Sequence, residues 1–93
     1  AQYGGGTDWI STEELLHFCD YVVQQGYGVQ MMEAVPTENS AMRRNHGFEI
    51  QGLDHEEAWH NHRDPLRSVA LVHEKVDLAR EMGGEFVYKV WVD

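Results

Sequence analysis

Apolar residues in the stretch STEELLHFCDYVVQQG fall at Leu15, Leu16, Cys19, Val22 and Val23. That spacing follows a helical repeat and predicts one buried stripe. Ser11 with Glu14 three residues on forms a capping box, and Gly26 is placed to stop the helix. Glu13 and Glu14 suit the positive end of its dipole. In YGVQMMEAV the period changes to two, with Tyr27, Val29 and Met31 on one face against Gly28, Gln30 and Met32. This predicts a strand ended by Pro36. PTENSAMRRNHG reads as a polar connection with room for a helical turn. FEIQGL alternates again, so the two strands pair economically as a hairpin with a wide loop.

Two further helix starts follow. In DHEEAWH, Asp54 can cap and Glu57 holds the capping-box position, which predicts a short helix. In DPLRSVALVHEKVDLAREMGG, Asp64 caps, Pro65 opens the first turn, and Gly83 or Gly84 ends it. Its apolar positions are Leu66, Val69, Ala70, Val72, Val76, Ala79 and Met82. EFVYKVWVD then reads as a strand with Phe86, Tyr88, Val90 and Val92 on one face and Val87 and Trp91 on the other. Apolar groups on both faces predict a central strand, or one whose outer face meets something.

The expected fold class is α+β. A small three-stranded, mostly antiparallel sheet carries two longer helices packed on one face, with a short helix besides. The chain has 93 residues and reads as a single domain spanning 1–93. Its glycine-rich opening, residues 1–8, reads as a flexible tail without the GxGxxG spacing of a phosphate cradle.

Composition narrows the function classes. Sixteen acids against seven bases leave a net charge of −9. That balance argues against direct binding to nucleic-acid phosphates or an anionic membrane, and it suits a partner with a basic surface. No apolar run approaches the roughly 20 residues of a membrane span, and no signal-peptide pattern opens the chain. With Cys19 as the only cysteine, the expectation is a cytoplasmic protein without internal disulfides. Cys19 itself falls on the helix stripe and should be unreactive.

The densest candidate chemistry is HEEAWHNHRD, from His55 to Asp64. His55 and His60 are five apart, so on a helix they diverge by about 140° and fail the zincin geometry. His60 and His62 would point the same way on an extended segment. With His46 as a third ligand they form the candidate zinc site of an alternative, metal-dependent reading. The leading expectation is that there is no enzyme activity and no cofactor. The chain is read instead as a protein-binding factor, with Glu13, Glu14, Asp20, Glu56, Glu57, Trp59 and Trp91 as contact candidates. Trp59, set in a polar run, must either turn inward as an anchor or stand partly exposed as an interface residue. A homodimer built across the Trp91 strand is a third expectation.

DPLRSVALVHEKVDLAREMGGEFVYKV, with FCD upstream, resembles the C-terminal part of small phage-encoded proteins of the NinX type. In that family an Asn/Asp-Pro-Leu-Arg start opens a C-terminal helix, and a Cys-Asn/Asp pair lies upstream. YGVQMMEAVP stands where the family carries a Trp-to-Pro-Ile-Ile segment. The resemblance implies a small phage or prophage accessory protein, and one that binds a host protein, inhibiting or modulating it as with a defence nuclease, would fit the protein-binding expectation. It transfers no catalytic residues.

Overall fold

The computed structural model describes residues 6–40, 42–44, 46–52, 59, 61 and 63–93. Its elements are α1 (Thr12–Gln24), β1 (Val29–Pro36), a 3-10 turn over His46–Phe48, β2 (Ile50–Gln51), α2 (Pro65–Glu81) and β3 (Phe86–Val92). The strands form one antiparallel sheet in the order β2-β1-β3. α1 lies against β3 and α2 against β1, and the two helices touch each other. This is the expected α+β class. The short helix expected around Asp54–His60 falls mainly outside the described residues. No helix among the described residues is long and apolar enough to cross a membrane.

Both helix boundaries follow local chemistry. Ser11 Oγ accepts the Glu14 N–H at 3.2 Å, and Glu14 Oε1 accepts the Ser11 N–H at 2.9 Å. The Glu14 carboxyl is thereby held below its ordinary range, first by the backbone bond and then by the Ser11 hydroxyl. Asp64 caps α2 by accepting the Arg67 N–H. Each helix ends in a Schellman pattern on a glycine of positive φ, Gly26 at 82° and Gly83 at 74°. There the Gly26 and Tyr27 N–H groups return to Val23 and Val22, and those of Gly83 and Gly84 return to Arg80 and Ala79.

The sheet departs from the expected pattern in four places. A β-bulge between Val29 and Met31 resets the alternation of β1. Val29, Met32 and Ala34 therefore share the core face, where strict period two had put Val29 with Met31. β2 is only two residues long, and Phe48 enters the core from the 3-10 turn instead of from a strand. β1, not β3, is the central strand. The β3 alternation itself is as expected, with Phe86, Tyr88 and Val90 in the core.

α2 is rotated from the expected stripe. Its buried residues are Ser68, Leu71, Val72, Val76 and Ala79, whereas Leu66 and Met82 are exposed. The reason is Ser68, a polar residue at the centre of the buried face. Its Oγ accepts the Val29 N–H at 2.9 Å, and its O–H donates to the Pro65 carbonyl at 2.7 Å. Val29 sits at the bulge, where its N–H has turned away from β3. A reading that seeks only apolar groups on a helix face passes over a serine that satisfies a buried donor.

The core joins Leu15 and Cys19 of α1 with Leu71, Val72, Val76 and Ala79 of α2 over the sheet. Phe48 and Phe86 meet with ring centroids 4.9 Å apart. Each large apolar side chain buried there contributes about 1.5–3 kcal/mol. Cys19 is fully buried, and desolvation, with a smaller push from Asp20, raises its thiol from 9.0 to about 12.

The N-terminal segment continues the sheet on its far side. Tyr88 and Ile10 exchange both backbone hydrogen bonds at 2.8 Å, and the Thr7 N–H donates to Val90 O at 2.9 Å. The Val90 N–H returns to Thr7 Oγ1 at 3.1 Å. Residues 1–5 of the expected tail lie outside the described residues, and Gly6–Asp8 run beside β3.

Two outcomes are expected. Ser68→Ala leaves the Val29 N–H unpaired in the interior and lowers unfolding free energy in urea by about 1–3 kcal/mol. Cys19 binds its proton more tightly folded than unfolded, so its contribution is intact below about pH 9 and is lost as pH climbs from 9.0 toward about 12. Urea midpoints across that range should fall more steeply for the native chain than for Cys19→Ala, and thiol-reagent labelling of native protein should track global unfolding.

Candidate functional site

The exposed side of α1 is the most strongly charged surface that the fold builds from expected contact residues. Asp8, Glu13, Glu14, Asp20, Glu33 and Glu38 all precede Arg43, the first Lys or Arg in the chain. α1 itself therefore carries no arginine or lysine, although Arg80 of α2 lines a second hollow with Thr12, Glu13 and Glu85. Leu15, Cys19 and Val22 turn inward, which leaves Glu13, Glu14, His17, Asp20 and Tyr21 on the solvent side. Glu13, Leu16, His17 and Asp20 line a shallow hollow of about 180 Å³. Leu16 supplies its apolar wall and the other three its polar rim. Glu14 is engaged with Ser11 and contributes charge more than a free hand. Tyr21 is 59% exposed and Tyr27, just past the helix, 52%. Neither tyrosine was singled out from the sequence as a surface group. Tyr21 stands two residues from Cys19, about 200° around the helix from the stripe, which was the available signal.

A larger cleft, about 370 Å³, opens beside the short strand β2. Met31, Met32 and Ile50 line it together with Glu33, Arg44, Glu49 and Gln51. Arg44 holds two carboxylates, with Nη2 3.2 Å from Glu49 Oε2 and 3.5 Å from Glu33 Oε2. The same Glu49 oxygen accepts the Ala34 N–H at 3.1 Å. Arg44, which follows Arg43 in the connection before β2, is thus a clamp on acids of its own chain. The cleft's polar groups are turned on one another.

The tryptophans do different work. Trp59 turns inward and is 3% exposed, with Nε1 donating to Asp93 Oδ2 at 2.8 Å. Arg63 stacks 5.8 Å from its ring centroid and donates to the backbone oxygens of Asp93 and Gly26, both at 2.8 Å. This corner ties the end of β3 to the exit of α1. As a contact residue Trp59 has almost no surface to offer. Trp91 is 9% exposed on the sheet face away from the helices, with Lys89 5.7 Å from its ring centroid.

Glu56, Glu57, His60 and His62 lie outside the described residues, and for His46 only the backbone is described. Among the described residues no three His, Cys, Asp or Glu side chains gather as metal ligands. Cys19, sealed in the core with its thiol protonated, is unsuited to nucleophilic work. Of the expected contact residues the fold brings Glu13 and Asp20 to one hollow. It sets Trp59 and Trp91 apart from them as packed groups.

No family model, curated protein or solved structure matches the chain.

Gly28 reports on the Trp59 corner. A Cβ there would lie 2.6 Å from Trp59 Cη2, 2.7 Å from Pro65 Cα and 2.8 Å from Ser68 Oγ. Gly28→Ala should destabilise the fold by about 1–3 kcal/mol through overpacking, read from urea midpoints. Gly26→Ala, with open space around it, should cost about 1–2 kcal/mol, from its left-handed backbone alone.

Proposed function

We propose that the protein is a non-enzymatic binding factor that engages a basic surface of a partner protein through the solvent side of α1. The observation that carries this reading is the acidic rim of the α1 hollow, on a helix with no Lys or Arg of its own. Glu13 and Asp20 rim a hollow with an apolar wall, exposed Tyr21 shares the helix, and no Lys or Arg precedes Arg43. Such a face attracts a basic partner at long range, and the tyrosine supplies rigid contact area once the two meet. A partner lysine or arginine can lay its aliphatic stem on Leu16 and set its charged head between Glu13 and Asp20. The resemblance to phage accessory proteins, if it reflects descent, sets this binding against a host protein, and inhibition of a defence nuclease is one use of it.

Affinity capture from the source cell, followed by titration of the captured protein, tests the reading. Glu13→Lys with Asp20→Lys should weaken binding at least about tenfold and flatten its salt dependence. Affinity unchanged by the double reversal, or unchanged between low and high salt, overturns it.

A further inference from the structure

We propose that residues 6–10 are a displaceable strap whose role is to keep β3 from pairing with the β3 strand of a second copy of this chain. The inference does not depend on the α1 reading. β3 is a seven-residue strand, FVYKVWV, without Gly or Pro. Its inner edge is fully engaged by β1 from Phe86 to Val92. Its outer edge offers the N–H and C=O groups of Tyr88 and Val90, and a strand of this composition with an open edge is a template for another chain.

The strap occupies that edge in an imperfect way. Between Thr7 and Ile10 stand two residues, Asp8 and Trp9, where the facing stretch from Val90 to Tyr88 holds one. The mismatch leaves a single backbone bridge, Ile10 with Tyr88. At Val90 the N–H is satisfied by the Thr7 hydroxyl instead of by a backbone carbonyl. Side-chain stacking holds the rest. Lys89 lies 5.9 Å from the Trp9 ring centroid and 5.7 Å from that of Trp91. Gly6 sits so close to the Trp91 indole that a Cβ would come within 2.8 Å of Cε2. Trp9 remains 46% exposed. A regular strand would make a better match to this edge than the strap does.

A second β3 supplies such a strand. A two-fold axis through Lys89 sets Tyr88 opposite the partner copy's Val90 and Phe86 opposite its Val92, all with apolar side chains on the core side. Two three-stranded sheets become one of six, with the helices still on one face. The same axis brings Lys89 to its own copy and Glu85 to the other copy's Asp93. These like charges, with the net −9 of each chain, oppose the pairing alongside the strap. Screening them should favour the dimer, which is the opposite sign to the salt response expected of the α1 face.

The full-length variant Thr7→Pro with Trp9→Ala tests this. It removes the Thr7 N–H, the hydroxyl that accepts from Val90 and the ring above Lys89, and it leaves β3 and the core intact. By light scattering the native chain should be monomeric. The variant should dimerise, at least about fivefold more tightly at about 1 M than at about 0.1 M salt, where the screening length is about 3 and about 10 Å. A variant that unfolds cooperatively yet stays monomeric at both salts overturns the proposal. Amide exchange in the native chain gives a second measure that needs no variant. Tyr88 and Val90, bonded to the strap, should exchange at least about tenfold faster than Lys89 and Trp91 on the inner edge. Equal protection on the two edges means the strap does not open separately, and it too overturns the proposal.

Discussion

The first turn of α2 approaches β1 more closely than side chains normally permit, and the rest of the molecule is arranged around that approach. Gly28 makes it possible, because any Cβ there would strike Trp59, Pro65 and Ser68 together. Ser68 makes it stable, because its hydroxyl answers the Val29 N–H that the bulge has turned out of the ladder. With the helix fixed at this point, Leu71, Val72, Val76 and Ala79 follow onto the sheet by helical repeat. Trp59 and Arg63 then close the corner onto Asp93 and Gly26, so that the ends of β3 and α1 share one support. A rotation of α2 that buried Leu66 would take Ser68 off Val29 and leave a buried donor unpaired.

A second constraint is that so small a sheet has little backbone with which to satisfy its own edges. Side chains take over where strands run out. Ser68 serves the Val29 N–H, Glu49 the Ala34 N–H past the end of β2, and Thr7 the Val90 N–H on the far edge. Each is a polar atom doing what another strand would do in a larger sheet. Glu49 is in turn held by Arg44, which commits that arginine to structure. The lone N–H groups of a minimal sheet therefore dictate where several polar residues must go, and those residues are unavailable for chemistry.

What is left over is charge. The bases Arg44 and Arg63 are engaged within the fold, and Lys89 is stacked on two indoles. The acids of α1 have no such opponents on their own helix. Arg80 of α2 lines a hollow with Glu13, and the part of α1 farther along, with Asp20 and the exposed Tyr21, is where the acid excess meets solvent.

Local rules were enough to write the helix ends, the α+β class, the antiparallel hairpin and the faces of β3. The Ser11–Glu14 capping box, the Asp64-Pro65 start, the glycine stops and the alternation of β3 all act within a few residues, so the sequence displays them. The acidity of α1, with Glu13 and Asp20, was legible for the same reason. The bulge in β1, the rotation of α2 onto Ser68, the central place of β1 and the inward turn of Trp59 were decided by contacts between residues far apart in the chain. A serine becomes a core residue only because a strand 39 positions away presents an unpaired N–H. A tryptophan in a polar run becomes an anchor only because Asp93 and Gly28 arrive beside it. Such choices depend on which groups tertiary packing leaves unsatisfied, and that accounting exists only once the chain has folded back on itself.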